Sequence, residues 1–302
     1  MKISIGIDYI EASMINRQRA LIRFIANEGG RIEMLRLVKL SFLLRETAEA
    51  APRSNLYDFI PYHFGPYSFT LNHELRSIER DGWVRLKGND VELLRNIEPE
   101  MLKLDRGVAG EIDSLTRRFR NVGTATLVSR VYADYPWYTS NAKDEKLRGA
   151  AAPTVSPAVF TVGYEGRMLD GLLDILLRAG VKRLIDVRCN PVARRFGFHK
   201  STIDRHCRDL AIEYTHVPEL GIPSDKRTGL DGQESYNRLF NYYEEKILPA
   251  HEESVNRVSS MIQKEPSVLM CMEADSKCCH RTRLAAAISK DTDLAVKELT
   301  NL

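Results

Sequence analysis

The densest group of reactive side chains in the chain follows the apolar residues 268–272. Four residues there are of types that are costly to bury unless they are paired with another group or have a function. They are Cys271, Glu273, His280 and Arg281. Residues 268–272 predict a buried parallel strand, and the Ala- and Leu-rich residues 282–289 predict a helix. Ligands usually bind where such a strand passes into a helix, because the helix N-terminus offers free N–H groups. We therefore predict a functional site at this junction.

Polar side chains also follow three other predicted strands, at 159–164, 181–187 and 213–217. The carboxyl ends of parallel strands meet at one edge of a sheet, so we expect these side chains to share one crevice with the group after residue 272. The predicted catalytic residues are Asp186, Glu273, Tyr164, Glu165 and His280. The predicted substrate-binding residues are Arg188, Arg281, Arg194, Arg195, Phe196, His216 and Cys279.

Paired carboxylates with nearby cations predict glycosidic-bond chemistry on nucleic acid. One carboxylate could activate water or stabilise an oxocarbenium-like carbon, while Arg188 and Arg281 hold phosphates and an aromatic ring stacks on a base. The favoured prediction is an enzyme, a hydrolase of the DNA glycosylase type that acts at a modified or damaged base. The simpler alternative is that Asp186 and Glu273 are only the ion-pair partners of arginines.

Three other kinds of chemistry are alternatives for the same segment. A divalent-metal nuclease would use Asp186, Glu273 and Asp275, since hard cations prefer oxygen ligands. A zinc site would use Cys271, Cys278, Cys279 and His280, but zinc motifs usually contain Cys-x-x-Cys pairs and this chain has none. A nucleophilic Cys279 is a further alternative, although its loop lacks the small residues that wrap a tetrahedral anion. The sequence therefore predicts no metal ligands and no cofactor.

A basic stretch runs from Lys182 to Arg208 and is interrupted by Phe196 and Phe198. Basic residues with interleaved aromatic rings suit contacts with phosphates and unstacked bases, although a solvated helix face would look the same. The predicted partner is nucleic acid, with DNA favoured over RNA. A covalent lysine intermediate would involve Lys200 or Lys277, and the pattern favours neither.

The composition is typical of a globular protein. The 302 residues are 43% hydrophobic and 28% charged, with a formal net charge of +3, which predicts about two domains. Neither a signal peptide nor a run of 18 apolar residues is present, so no membrane association is expected. Five cysteines, three of them between positions 271 and 279, argue against a disulfide framework and favour a cytoplasmic protein.

The chain is predicted to divide at a linker over residues 146–157, where charged residues give way to small residues and prolines. Domain 1–145 is predicted to be mainly helical, with two strands around Gly88-Asn89-Asp90 that resemble the wing of a winged helix-turn-helix. Domain 158–302 alternates strands with helices. This alternation predicts an α/β fold with a parallel, helix-flanked sheet.

Two resemblances follow from these residues. The first resemblance is to the Panacea or SocA-like domain of antitoxins and covers about residues 15 to 140. It is carried by Met34 to Leu40, Tyr62-His-Phe-Gly-Pro-Tyr-Ser68, the helix stop at Asp81-Gly82 and Tyr135-Pro-Trp137, with Ser68 as a predicted helix N-cap. In the second half, Asp186-Val-Arg188, Tyr214-x-His216 and Leu269-Met-Cys-x-Glu-x-Asp275, followed by Cys279-His-Arg281, resemble the DUF488 family in their order.

The DUF488 resemblance covers residues 159–300 and implies a fold and a site without a reaction. Where that family more often has Gly-His-Ser after the first strand, this sequence has Gly163-Tyr164-Glu165, which leaves the role of that loop open. The Panacea resemblance implies a second class of function. The protein could be a noncatalytic regulator of the antitoxin or phage-defence type that binds a partner or an operator.

Overall fold

A computed structural model describes residues 14–49, 55–149, 153 and 155–300. The chain forms two compact units that divide after residue 151. This position lies inside the predicted linker 146–157, of which residues 150–152 and 154 are outside the described part. Before it, Glu145–Leu147 forms a 3₁₀ turn. The predicted bounds of 1–145 and 158–302 stay predictions.

The first unit is mainly helical. Its helices are α1 (Asn16–Asn27), α2 (Met34–Thr47), α3 (Phe69–Arg80), α4 (Arg106–Phe119) and α5 (Thr124–Asp134). Ser68 is the predicted N-cap of α3, and its hydroxyl accepts a hydrogen bond from the N–H of Leu71 at 3.2 Å. The rings of Phe42, Phe59 and Tyr138 pack edge to face in the core of this unit.

Five short strands accompany these helices. They are β1 (Arg31–Glu33), β2 (Ile60–Tyr62), β3 (Gly65–Tyr67), β4 (Val84–Lys87) and β5 (Asp90–Leu93). Strands β4 and β5 form the predicted hairpin, which turns at Gly88 with a positive φ of 59°. Strand β1 joins this hairpin as a third antiparallel strand, and β2 pairs with β3. The winged-helix assignment itself stays a prediction.

The second unit is a five-stranded parallel sheet flanked by helices, which confirms the predicted fold class. Its strands are β6 (Val159–Gly163), β7 (Arg183–Asp186), β8 (Glu213–His216), β9 (Ser267–Cys271) and β10 (Val296–Glu298), in the order β10-β6-β9-β7-β8. Its helices are α6 (Leu169–Arg178), α7 (Lys200–Asp209), α8 (Gln233–Tyr242), α9 (Glu252–Lys264) and α10 (Arg281–Thr292). All residues of β6 and β9 are buried, which explains their apolar character.

The strand register brings the predicted site residues to one edge of this sheet. Gly163 pairs with Cys271, and Asp186 pairs with Met270 on one side and with His216 on the other. All four strands therefore end at the same level. Among the residues that the structure describes, no helix combines the length and the apolar character that crossing a membrane would require.

Two features of the second unit differ from the sequence prediction. The sequence predicts long helical material over residues 236–260, but a π-helical turn at Tyr243–Ile247 and a short turn at Leu248–Ala250 separate α8 from α9. Pro249 lies in that break, because proline cannot donate the hydrogen bond that a continuous helix needs. Strand β10 was not predicted, since its three residues are exposed and carry no apolar alternation.

Lys39 on α2 is a buried cation in the first unit. Its side chain is almost fully buried, and Nζ donates to the carbonyl oxygens of Phe64, at 2.5 Å, and Pro66, at 3.0 Å. Burial lowers the pKa of Lys39 to about 7 from its ordinary value of 10.5.

This lowered pKa predicts a pH-dependent stability. Between pH 7 and 10.5 the unfolded chain keeps the Lys39 proton and the folded protein releases it, so the free energy of unfolding should rise with pH in that window. Each unit of pKa difference corresponds to about 1.4 kcal/mol. We expect Lys39→Met to flatten the rise, and Lys87→Met, an exposed change on β4, to leave it unchanged. Denaturant unfolding of the three proteins between pH 6.5 and 9.5 measures this. Parallel curves for wild type and Lys39→Met would contradict it.

Candidate functional site at the carboxyl edge of the sheet

The first group of side chains lies over the ends of β7 and β8 and is called here the Arg188 cluster. It comprises Tyr164, Asp186, Arg188, Phe198 and Tyr214. The guanidinium of Arg188 donates to both oxygens of Asp186, with Nε 2.8 Å from Oδ1. It also donates to the hydroxyl of Tyr164, at 3.1 Å, and to the carbonyl oxygen of Phe198, at 2.9 Å. The ring of Tyr164 stacks on that of Phe198, with centroids 4.2 Å apart.

Asp186 is sealed inside this cluster. Its side chain is 0% exposed, and Oδ1 accepts from both the backbone N–H and Nε of Arg188. Oδ2 accepts from Arg188 and, at 2.7 Å, from the hydroxyl of Tyr214. Burial disfavours the charge on Arg188, but the hydrogen bonds and charge of Asp186 outweigh it, so the pKa of Arg188 is raised. The geometry gives both residues a structural part and leaves Asp186 no exposed oxygen for a substrate.

The second group lies over the ends of β9 and β6 and is called here the Glu273 cluster. It comprises Glu165, Arg227, Cys271, Glu273, Cys279 and His280. Arg227 donates to Oε1 of Glu273 at 2.9 Å, and the thiol of Cys271 donates to Oε2 at 3.1 Å. Unlike Asp186, this carboxylate reaches the surface, because its side chain is 19% exposed and that of Arg227 is 30% exposed.

Glu273 is held in its ionised form. Burial alone would raise the pKa of this carboxyl group, but the charge of Arg227 and hydrogen bonds from the thiols of Cys279 and Cys271 outweigh burial and lower its pKa to about 2. A carboxylate with so low a pKa is a weak proton acceptor. It is well suited to stabilise a positive charge that develops on a substrate.

The two thiols and the imidazole lie behind Glu273, in the core. Cys271, Cys279 and His280 are each at most 1% exposed. Nε2 of His280 lies 3.1 Å from the carbonyl oxygen of Val187, and its Nδ1 lies 3.2 Å from Nη2 of Arg227 and 3.9 Å from Sγ of Cys271. A hydrogen bond from Cys279 lowers the pKa of Cys271, whereas burial and the proximity of Cys271 raise that of Cys279. One thiol of the pair therefore ionises more readily than the other.

Arg281, which was predicted to bind substrate, is fully buried below the loop that carries Glu273. Its Nη1 donates to the carbonyl oxygen of Glu273 at 2.5 Å, and its Nη2 donates to Glu298 on β10 at 2.9 Å. The loop can approach β6 this closely only because residue 163 is glycine. A Cβ atom there would lie 1.9 Å from the carbonyl oxygen of Glu273. Arg281 and Gly163 thus position the loop instead of facing a ligand.

Glu165 brings a second carboxylate to the Glu273 cluster. It follows β6 and is exposed, and its Oε2 accepts from the N–H of Ala274 at 3.0 Å. The charges of Glu165 and Glu273 both act on the phenol of Tyr236, whose pKa is raised chiefly by desolvation. Of the predicted catalytic carboxylates, Glu165 and Glu273 therefore reach the surface and Asp186 does not.

Of the remaining predicted substrate-binding residues, two are exposed and two are half-buried. Arg194 and Arg195 are exposed on the loop after β7, and Phe196 is half-buried against His206. His216 is half-buried at the end of β8, with Nε2 2.9 Å from the carbonyl oxygen of Arg188. Of these four residues, the two arginines are the exposed ones.

Sequence reasoning missed Arg227, the ion-pair partner of Glu273. It lies in the loop between β8 and α8, more than forty residues from Glu273, and no motif marked it. A neighbouring cavity of about 340 Å³ is lined by Lys226, Arg238 and Tyr242, among others. The charged run Asp225-Lys-Arg227 in that loop was the only signal available, and it is equally typical of a solvated surface.

The oxygen-rich metal site required for a nuclease is not assembled. Asp275 is exposed and caps a 3₁₀ turn by accepting from the N–H of Lys277 at 2.9 Å, while Asp186 is sealed elsewhere. In the described parts of the chain, the only group of three or more potential metal-ligating side chains is Cys271, Cys279 and His280, with ligand atoms within 4.8 Å of one another.

Comparison with known proteins finds a family match within this unit. Residues 168–288 match the family model described as "Domain of unknown function DUF488". The match includes Asp186, Arg188, Glu273 and His280 and begins after Tyr164 and Glu165. Searches of curated proteins and of solved structures found no match.

The sealed state of Asp186 predicts a large effect on stability. Asp186→Asn would leave the buried guanidinium of Arg188 without its counter-charge, so we expect the free energy of unfolding to fall by roughly 3–5 kcal/mol. Asp204→Asn, which breaks an exposed pair with Arg208 on α7, is the matched control and should cost less than about 1 kcal/mol. Denaturant unfolding measures both. An Asp186→Asn protein as stable as wild type would show that Asp186 is not tied into the fold in this way.

Proposed function

We propose that this protein, in which the DUF488 match contains Glu273, is a hydrolase of the DNA glycosylase type that cleaves an N-glycosidic bond at a modified or damaged base. The observation that supports it most is the state of Glu273, an ionised carboxylate that reaches solvent at the carboxyl edge of a parallel sheet. Cleavage of a glycosidic bond develops positive charge on the sugar, and such a carboxylate stabilises that charge.

The two carboxylates then have different tasks. Glu273 would face the sugar carbon as the bond to the base breaks. Glu165, the more exposed carboxylate, would accept a proton from the water molecule whose oxygen forms the new bond to that carbon. The base leaves with the electron pair of the broken bond and takes up a proton from solvent. This assignment replaces Asp186 with Glu165 as the partner of Glu273.

Exposed cations near this edge suit a nucleic-acid substrate. Arg194 and Arg195 lie on the loop after β7, and Lys226 and Arg238 line the cavity next to Arg227. Tyr242 in the same cavity offers a ring on which a base could stack. DNA is favoured over RNA as in the sequence prediction, and the first unit, as a Panacea-like winged helix, would help to bind the duplex.

A noncatalytic regulator is the alternative class of function. A regulator would keep the same buried clusters as structural elements and would bind a partner or an operator through the first unit. It predicts binding without turnover, so the two proposals are separated by any measurement that follows product.

Glu273→Gln should abolish product formation. Purified wild type is incubated with duplexes carrying a panel of modified bases, with and without chelator, and free base, abasic sites and strand breaks are measured. We expect base release by wild type, a loss of at least about a hundredfold in Glu273→Gln because the amide cannot stabilise positive charge, and little change in DNA affinity. Glu213→Gln, at the opposite edge of the sheet, is the matched control. Equal turnover by wild type and Glu273→Gln would refute the assignment.

Charge removal from the loop after β7 should weaken DNA binding in a salt-dependent manner. We expect the double variant Arg194→Ala, Arg195→Ala to bind a duplex more weakly. The slope of log affinity against log salt should become shallower by about 1 for each phosphate that is no longer neutralised. Arg178→Ala, at the end of α6, should leave the slope unchanged. Fluorescence anisotropy at several salt concentrations measures both. An unchanged slope in the double variant would remove this loop from the interface.

A further inference from the structure

We propose that Cys271, Cys279 and His280 form a binding site for a divalent metal ion of the zinc class. The sequence did not favour this site because the three residues lack a Cys-x-x-Cys spacing. The fold brings the three side chains together instead, because Cys271 is the last residue of β9 and Cys279 and His280 immediately precede α10.

The distances suit a tetrahedral ion. With bonds of about 2.3 Å to sulfur and about 2.0 Å to nitrogen, two ligand atoms on a tetrahedral zinc ion lie about 3.6 Å apart. Sγ of Cys271 and Nδ1 of His280 are 3.9 Å apart, and all three ligand atoms lie within 4.8 Å of one another. If the distances between the three ligand atoms shortened by between a few tenths of an ångström and about one ångström, all three atoms could bond to one ion.

His280 is already in the required tautomer. A carbonyl oxygen can only accept a hydrogen bond, so Nε2, 3.1 Å from the oxygen of Val187, carries the proton. Nδ1 then presents a lone pair, which lies 3.2 Å from Nη2 of Arg227 and 3.9 Å from Sγ of Cys271, so an ion bound to Nδ1 would displace the hydrogen bond from Arg227. Metal-bound histidines typically fix their ring in this way, through a hydrogen bond from the other nitrogen to a carbonyl or carboxylate.

Arg281 provides an independent indication that a negatively charged sulfur belongs here. Its Nε is buried and has no hydrogen-bond partner among the oxygen and nitrogen atoms of the described residues. The guanidinium of Arg281 lies within hydrogen-bonding reach of the Cys279 thiol. An unused buried donor is costly, and a metal-bound thiolate at Cys279 would accept its hydrogen bond.

Charge balance favours an ion in the same place. Two thiolates in the core would be costly by themselves, whereas two thiolates, a neutral imidazole and a divalent cation sum to zero. Glu273 and Arg227 already neutralise each other at the rim. Binding would release the two thiol protons to solvent and would free Oε2 of Glu273 from the Cys271 thiol.

The ligand set selects the class of metal. Two sulfurs and an imidazole nitrogen suit zinc and related thiophilic ions, whereas magnesium and calcium require oxygen ligands. Three protein ligands also leave a fourth position. The carboxylate of Glu273 is a neighbour of this ligand set, since its Oε2 is 3.1 Å from Sγ of Cys271.

Metal binding can be measured without any assay of activity. The full chain is purified under reducing conditions, its bound metal is quantified by mass spectrometry, and the stripped protein is titrated with Co²⁺ and then Zn²⁺. We expect about one equivalent of ion per chain and a sulfur-to-cobalt charge-transfer band that zinc abolishes. Magnesium should neither bind at this site nor displace cobalt.

Variants locate the site. Cys271→Ser and His280→Gln should each lower the affinity by more than the roughly 10–100-fold that is typical of changes around a metal site, and His280→Cys should retain binding because it replaces one ligand with another. Cys278→Ser is the matched control, since the half-buried Cys278 faces Asp275 instead of the cluster. Absence of the charge-transfer band in wild type would overturn the proposal. So would cobalt binding that survives Cys271→Ser and disappears in Cys278→Ser. Because these measurements use no substrate, failure of the glycosylase proposal would leave them unaffected.

Discussion

The buried guanidinium of Arg281 is the interaction on which the rest of the site depends. Its hydrogen bonds to the carbonyl oxygen of Glu273 and to the carboxylate of Glu298 connect the loop after β9 to strand β10 at the sheet edge. The loop after β9 lies so close to β6 that only glycine fits at position 163. A charged group with no exposure is thus used to fix a backbone, and the side chain of Glu273 is consequently directed toward solvent.

The environment gives the two carboxylates of the predicted pair opposite properties. Asp186 meets the charge of Arg188 and the hydroxyl of Tyr214 in a closed pocket, where all its hydrogen-bonding capacity is used. Glu273 meets Arg227 at the surface and keeps one side open. A buried ion pair is difficult to break but cannot react, whereas a half-buried one holds charge where a ligand can reach it. The proposed chemistry therefore belongs to the ends of β9 and β6, and the residues at the end of β7 support the fold.

Much of the sheet and part of the site could be predicted from the sequence. Strands β6, β7 and β9 were recognisable because burial on both faces requires apolar runs, and Glu165, Glu273 and His280 were recognisable as costly residue types at strand ends. The pattern could not show which carboxylate would be sealed, because Asp186 and Glu273 both follow an apolar strand. The sealing depends on Tyr214 and Arg188, and the opening depends on Arg227, a loop residue with no motif around it. Strand β10 was invisible because its exposed residues lack alternation.

Glu273 connects the proposed reaction to the proposed metal ion. Arg227 donates to Oε1 of Glu273 at 2.9 Å and so orients the carboxylate. Oε2 accepts a hydrogen bond from the Cys271 thiol, and loss of that proton on metal binding would leave Oε2 without this donor. Glu273 would keep its task of stabilising the developing positive charge and Glu165 that of accepting a proton from water, and the buried thiols would hold the ion without being nucleophiles.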